Sequence, residues 1–133
     1  MVIVGISDNH DAGAAVFVDG RIAAAVNEER LNRQKLWGGF PALSIREALR
    51  IANVDASQVD RVVLGTRVTP SLALRVLPGL HRNVRKKNGQ FGYLLNLYTA
   101  WQSASHALRY PEEVEARLSA LLVASRLAPL GIR

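Results

Sequence analysis

The sequence predicts an α/β domain: a mixed sheet that starts with a β-hairpin, followed by helices. Three observations point there. The β-branched apolar run Val2-Ile3-Val4-Gly5-Ile6 ends in a polar knot, Ser7-Asp8-Asn9-His10-Asp11, as a strand entering a loop would. Two further apolar runs, 14–18 and 21–26, flank Asp19-Gly20, a pair suited to a type I′ turn between antiparallel strands. An amphipathic segment at 41–53 then precedes a short apolar run at 61–65, the helix-then-strand order of a mixed α/β sheet.

Strands are therefore expected at 2–6, 14–18, 21–26 and 61–65, with a helix over 41–53 packed on one face. Pro41 suits a first helical turn, where its missing N–H is not needed. Ala42, Ile45, Ala48, Leu49 and Ala52 recur at three- and four-residue spacing and give one apolar face. Ser44 and Glu47 have the spacing of a capping box, and Asn53 is a C-terminal stop. Residues 55–60 read as a connection with one helical turn. Further along, 70–77 reads as a short helix ended by Pro78-Gly79, and 93–108 as a helix with Leu94, Leu97 and Trp101 on its stripe. Pro111-Glu112-Glu113 opens a last helix, with carboxylates beside the positive end of its dipole. Val114, Leu118, Leu121 and Leu122 follow at helical spacing, and Pro129 and Gly131 stop it. These C-terminal helices offer more apolar surface than a short sheet covers, which predicts a partner surface.

The chain has 133 residues, enough for one domain or a piece of a larger one. An apolar content of 49% supports a core. No apolar run approaches the roughly 18 residues that span a bilayer, and Met1-Val2-Ile3-Val4-Gly5 lacks the basic start of a signal peptide. With no cysteine there is no disulfide framework or thiolate metal site. The expected setting is cytoplasmic, without a membrane. The net charge of +6 favours anions, with much of the excess in His81-Arg82-Asn83-Val84-Arg85-Lys86-Lys87. A solvated basic loop is the simpler reading of that cluster. Without interleaved aromatics for stacking, nucleic acid ranks low as a partner.

The candidate site is the knot after the first strand. His10 and Asp11 offer an ionisable pair near neutral pH, at the strand end where α/β sheets place ligands. Asp8 and Asp11 are possible oxygen ligands for a divalent cation; the plain alternative is a loop whose polar side chains bond local backbone. The glycines match neither the dinucleotide fingerprint nor the P-loop, although a strand-turn-strand can still present N–H groups to phosphate. Arg30, Arg33 and Lys35 are candidate anion contacts, with a charged surface helix or loop as the simpler reading. Trp37-Gly38-Gly39-Phe40 reads as an apolar elbow used for packing. His81 and His106 stand alone, so no zinc pattern exists.

Together these residues resemble the N-terminal segment of the carbamoyltransferase family, which includes nodulation and antibiotic O-carbamoyltransferases. Four blocks carry the resemblance in order: Val4-Gly5-Ile6-Ser7 with His10-Asp11-Ala12-Gly13-Ala14-Ala15; Asp19-Gly20-Arg21-Ile22-Ala23-Ala24-Ala25; Asn27-Glu28-Glu29-Arg30-Leu31-Asn32-Arg33-Gln34-Lys35; and Phe40-Pro41 opening a helix. Val59-Asp60-Arg61-Val62-Val63-Leu64 suits the family's next strand. The resemblance is specific over residues 2–66 and approximate over the mostly helical remainder, 67–133.

The resemblance implies part of an actin/hexokinase-like (ASKHA) domain, similar to the universal tRNA threonylcarbamoyladenosine synthase. It implies transfer of a carbamoyl group from carbamoyl adenylate to the hydroxyl of a small-molecule acceptor. A separate C-terminal domain makes that adenylate from carbamoyl phosphate and ATP. It further implies a divalent metal held by a downstream histidine pair, which this chain does not contain. The whole of 1–133 is accordingly expected to be the N-terminal part of such a domain, inactive until completed by a C-terminal lobe or partner chain. By the same resemblance, His10 and Asp11 are the expected catalytic residues, and Ser7, Arg30 and Lys35 the expected substrate- and phosphate-binding residues. No metal ligand is assigned to this chain. Gly13 stands where many members have serine. The alternative is a non-catalytic α/β interaction domain docking onto a separate chain. An actin-like ATPase in the sugar-kinase style would want an Asp-x-Gly-Thr phosphate loop, which Ser7-Asp8-Asn9-His10 does not supply.

Overall fold

In the computed structural model, which describes residues 1–9, 11–65, 75–76 and 112–132, the alternation of the first 27 residues produces three consecutive strands. These are β1 (Val2–Ser7), β2 (Gly13–Val18) and β3 (Arg21–Asn27). Asp19 and Gly20 both take positive φ, 50° and 79°, as a type I′ turn between β2 and β3 requires. The short helix α1 (Glu28–Asn32) follows β3 directly. Helix α2 (Ala42–Ala52) leads through a single 3-10 turn, Ala56–Gln58, into β4 (Arg61–Leu64). The last helix, α3 (Glu112–Leu127), ends in a second 3-10 turn, Ala128–Leu130.

The sheet has the order β3-β2-β1-β4. β1 runs antiparallel to β2 and parallel to β4, so the sheet is mixed, as expected. Its register separates two faces. Val62, Val4, Val16 and Ala24 form one rung across the four strands, and Leu64, Ile6, Ala14 and Val26 form the next. These side chains join Ile45, Ala48 and Leu49 of α2 and Val123 and Leu127 of α3 in a single core. Neighbouring positions along each strand face the other way.

The cap of α2 departs from the sequence expectation. Ser44 is buried inside the helix, and Glu47 pairs with Arg50 at 2.8 Å instead of reaching back to the helix start. The N-terminus is capped from outside by Glu28, whose carboxylate is 3% exposed. It accepts the Leu43 N–H at 3.2 Å and the Ser44 N–H at 2.7 Å. A carboxylate there satisfies two orphan donors and complements the dipole. Asn53 ends the helix in the left-handed conformation expected of a stop residue.

Leu118 and Leu121 of α3 stay largely uncovered, in line with the expected surplus of apolar surface. Ser119, Val123 and Leu127 are buried, whereas Val114, Leu118 and Leu121 are exposed and Leu122 is half-buried. The reason lies at the helix end. The 3-10 turn returns Leu130 and Ile132 to the core, so the face carrying Val123 and Leu127 is the one that turns inward. The expected helices over 70–77, apart from residues 75 and 76, and over 93–108 lie outside the described residues. So do Leu94, Leu97, Trp101, His81, His106 and the 81–87 basic cluster.

Candidate functional site

Toward the carboxyl end of β1, the face of the sheet away from α2 is built of small residues, whereas Ile3 and Phe17 stand on the same face at its other end. Opposite the core rung lies Val63, Gly5, Ala15 and Ala25, and beyond it Ser7, Gly13 and Asn27. With little side-chain volume at this end of the face, the strands themselves form the floor of a concavity of about 630 Å³. That volume falls within the usual range of small-molecule sites. Its rim includes Ser7, Asp11, Asn27 and Arg30. The backbones come close here. A Cβ on Gly13 would lie 2.7 Å from the Val26 carbonyl oxygen and 3.0 Å from Asn27 Oδ1. Glycine at position 13 therefore permits the tight β2–β3 approach.

Three of the five predicted site residues, Ser7, Asp11 and Arg30, thus converge on one concavity. Lys35 is exposed and is not among its lining residues. It lies beyond the left-handed turn at Arg33 that ends α1. His10 lies outside the described residues. Asp11 is exposed and takes φ 59°, a left-handed conformation that aspartate tolerates.

Asp8 is not available as a cation ligand. Its side chain is 3% exposed, with the Nε–H of Arg75 donating to Oδ2 at 2.7 Å and an Nη2–H donating to Oδ1 at 3.2 Å. No group of three or more metal-ligating side chains occurs among the described residues. The knot is also fastened by backbone. The Gly39 N–H donates to the Asp8 carbonyl at 3.1 Å, and the Ala12 N–H donates to the Trp37 carbonyl at 2.9 Å. The Glu28 N–H donates to the Ala12 carbonyl at 2.9 Å. The Trp37-Gly38-Gly39-Phe40 elbow thus packs as expected, with both glycines buried, and braces the knot.

Sequence reasoning passed over Glu28 and the Asp8–Arg75 pair. Glu28 sits in a charged run that signals solvent exposure, and Arg75 meets Asp8 across 67 positions. Neither carries a local periodic signal.

Comparison with known proteins places the same residues in a common frame. The family described as "Carbamoyltransferase N-terminus" matches residues 2–71, which contain the whole sheet and every residue of the concavity. The chain is 44% identical to the uncharacterized protein sll1178 of Synechocystis sp. over 62 residues, covering 46% of this chain and 10% of that protein. It is 45% identical to nodulation protein NolNO of Sinorhizobium fredii over 51 residues, 38% of this chain and 8% of that protein. An uncharacterized 19.2 kDa protein of Rhizobium etli is 51% identical over 51 residues, 38% of this chain and 30% of that protein. The aligned stretch is thus a small part of each relative. Matched from its first strand through its last, the sheet and its open face identify the chain as a member of the carbamoyltransferase family, through that family's N-terminal domain.

Proposed function

We propose that the open face of the sheet is one wall of a carbamoyl-transfer site, within a partial actin/hexokinase-like domain. The observation that carries this reading is the concavity itself. It lies on the family-matched segment and gathers Ser7, Asp11 and Arg30 at the carboxyl end of β1. In the reaction, the acceptor hydroxyl oxygen bonds to the carbamoyl carbon of carbamoyl adenylate. The carbon–oxygen bond to the phosphate breaks, AMP leaves, and the hydroxyl proton passes to His10. Asp11 orients His10, Ser7 contacts the donor phosphate, and Arg30 offsets its charge. The described residues do not fit a metal, since no three ligating groups gather among them, and no step is assigned to one. Synthesis of the adenylate from carbamoyl phosphate and ATP falls to a C-terminal lobe or partner chain. No helix among the described residues is long and apolar enough to cross a membrane.

The chain alone, given ATP, carbamoyl phosphate and a hydroxyl acceptor, is expected to show no turnover. Addition of the C-terminal part of a family member in trans should produce turnover, and His10→Ala should abolish it. Turnover by the chain alone would overturn the assignment. Binding of the added polypeptide without turnover would favour a non-catalytic docking domain.

A further inference from the structure

We infer that Asp8 and Arg75 form a positioning pair that holds the polar knot against the open face, with Arg126 of α3 as the outer member of the brace. The inference rests on reading that face as the transfer wall.

The contacts close into a ring. Arg75 grips the Asp8 carboxylate with two N–H groups. The Arg75 carbonyl accepts an Nη2–H of Arg126. The Arg126 guanidinium lies over the Phe40 ring, 5.9 Å from its centre. Phe40 follows Gly39, whose N–H returns to the Asp8 carbonyl at 3.1 Å. Both the side chain and the main chain of Asp8 are thereby held. Ala12, at the far end of the knot, is held by Trp37 and Glu28. The residues between Asp8 and Ala12 span a bracket fixed at both ends, with Asp11 on the concavity rim.

Stability is a weak reason for such a pair. Asp8 and Arg75 are 3% and 1% exposed, and desolvation at that depth offsets much of the attraction. A hydrophobic pair could fill the same space. What a two-pronged Arg–carboxylate contact adds is a fixed orientation. Asp8 is adjacent to Ser7, so a rotation of its backbone would move both Ser7 and the knot relative to the floor.

The test compares wild type with the double variant Asp8→Asn/Arg75→Met, which removes both buried charges together, and with Arg126→Gln. Amide hydrogen exchange is followed at Asn9, Asp11 and Ala12 and, as an internal control, at Val16 and Ala24. A non-hydrolysable carbamoyl-adenylate analogue is titrated in parallel by NMR. The double variant is expected to keep its cooperative melt and its exchange rates at Val16 and Ala24. Exchange at the knot should accelerate, and affinity for the analogue should fall about tenfold or more, the order a slightly misplaced site costs. Arg126→Gln should act in the same direction with a smaller change, and it carries the test if the double variant does not fold. Unchanged exchange at the knot in a folded variant would overturn the inference. Accelerated exchange in a chain whose wild type never binds the carbamoyl-adenylate analogue would instead uphold the brace and refute the transfer-wall reading.

Discussion

The two faces of the sheet are made by the same strands and differ by one residue of phase. On the packed side, the rung Val62-Val4-Val16-Ala24 meets Ile45 and Ala48, and Val4, Val16, Ile45 and Ala48 are fully buried. On the open side, the rung Val63-Gly5-Ala15-Ala25 carries far less volume on its two inner strands, Gly5 and Ala15 against Val4 and Val16, and leaves a concavity. A binding surface here needs no added loop or insertion. It arises because side-chain volume is withheld at Gly5, Ser7, Gly13, Ala15 and Ala25, toward one end of a face whose other end carries Ile3 and Phe17, while Val4, Ile6 and Val16 fill the packed side.

The largest expected contrast comes from substituting the two faces in opposite directions. Ile45→Ala, on the packed side, should cost about 2–5 kcal/mol in denaturant unfolding, because a fully buried isoleucine leaves a cavity. Ala25→Leu, on the open side, should change stability by no more than about 0.5 kcal/mol, while filling the concavity and abolishing ligand binding. If both lower stability alike, the open face is a second core.

The next effect tests how the two faces are tied together. Glu28→Ala removes the carboxylate that caps α2 and should cost about 1–3 kcal/mol in thermal melting, because two buried N–H groups lose their acceptor. An unchanged melting temperature would mean that water or another group caps the helix equally well.

The smallest effect lies at the opposite end of the hairpin from the polar knot. The N-terminal ammonium donates to Asp19 at 2.7 Å. The hydrogen bond to Asp19 raises the amine's pKa above 8.0, and the reciprocal contact lowers that of Asp19 below 3.8. The amine's contribution is complete below pH 8.0 and is lost as pH rises through its raised value. The Asp19 contribution is present above 3.8 and is lost as pH falls through its lowered value. Both groups are exposed, so the effect is small. Melting temperature followed from about pH 7 to pH 10 should decline slightly more in wild type than in Asp19→Asn, since an ordinary N-terminal amine titrates near 8. Ligand binding at the open face should not differ between the two. A binding change would show that the far end of the hairpin is coupled to the site.

Much of this architecture is legible in the sequence because neighbours in the chain decide it. Asp19-Gly20 specifies its turn, Val4 and Ile6 their strand, and the spacing of Ile45, Ala48 and Leu49 the buried side of α2. The knot after β1 is legible for the same reason, as an apolar run breaking at Ser7. What escapes are contacts between distant residues. Glu28 caps a helix that begins 14 residues later, and Asp8 pairs with Arg75 across 67 positions. In both cases a charged residue that local rules assign to solvent is buried. Burial of a charge depends on a partner the local pattern does not name. Lys35 shares a charged run with Arg30, but only Arg30 is among the lining residues of the concavity.

The central claim is that the open face, and no other surface of the chain, receives the carbamoyl donor. Titration of isotopically labelled protein with a non-hydrolysable carbamoyl-adenylate analogue, followed residue by residue by NMR, tests it most directly. The account predicts shifts concentrated at Ser7, Asp11, Gly13, Ala25, Asn27 and Arg30, with Ile45, Ala48 and Val123 unmoved. Shifts confined to α2 or α3, or saturable binding that leaves Ser7, Gly13 and Ala25 unchanged, would contradict it.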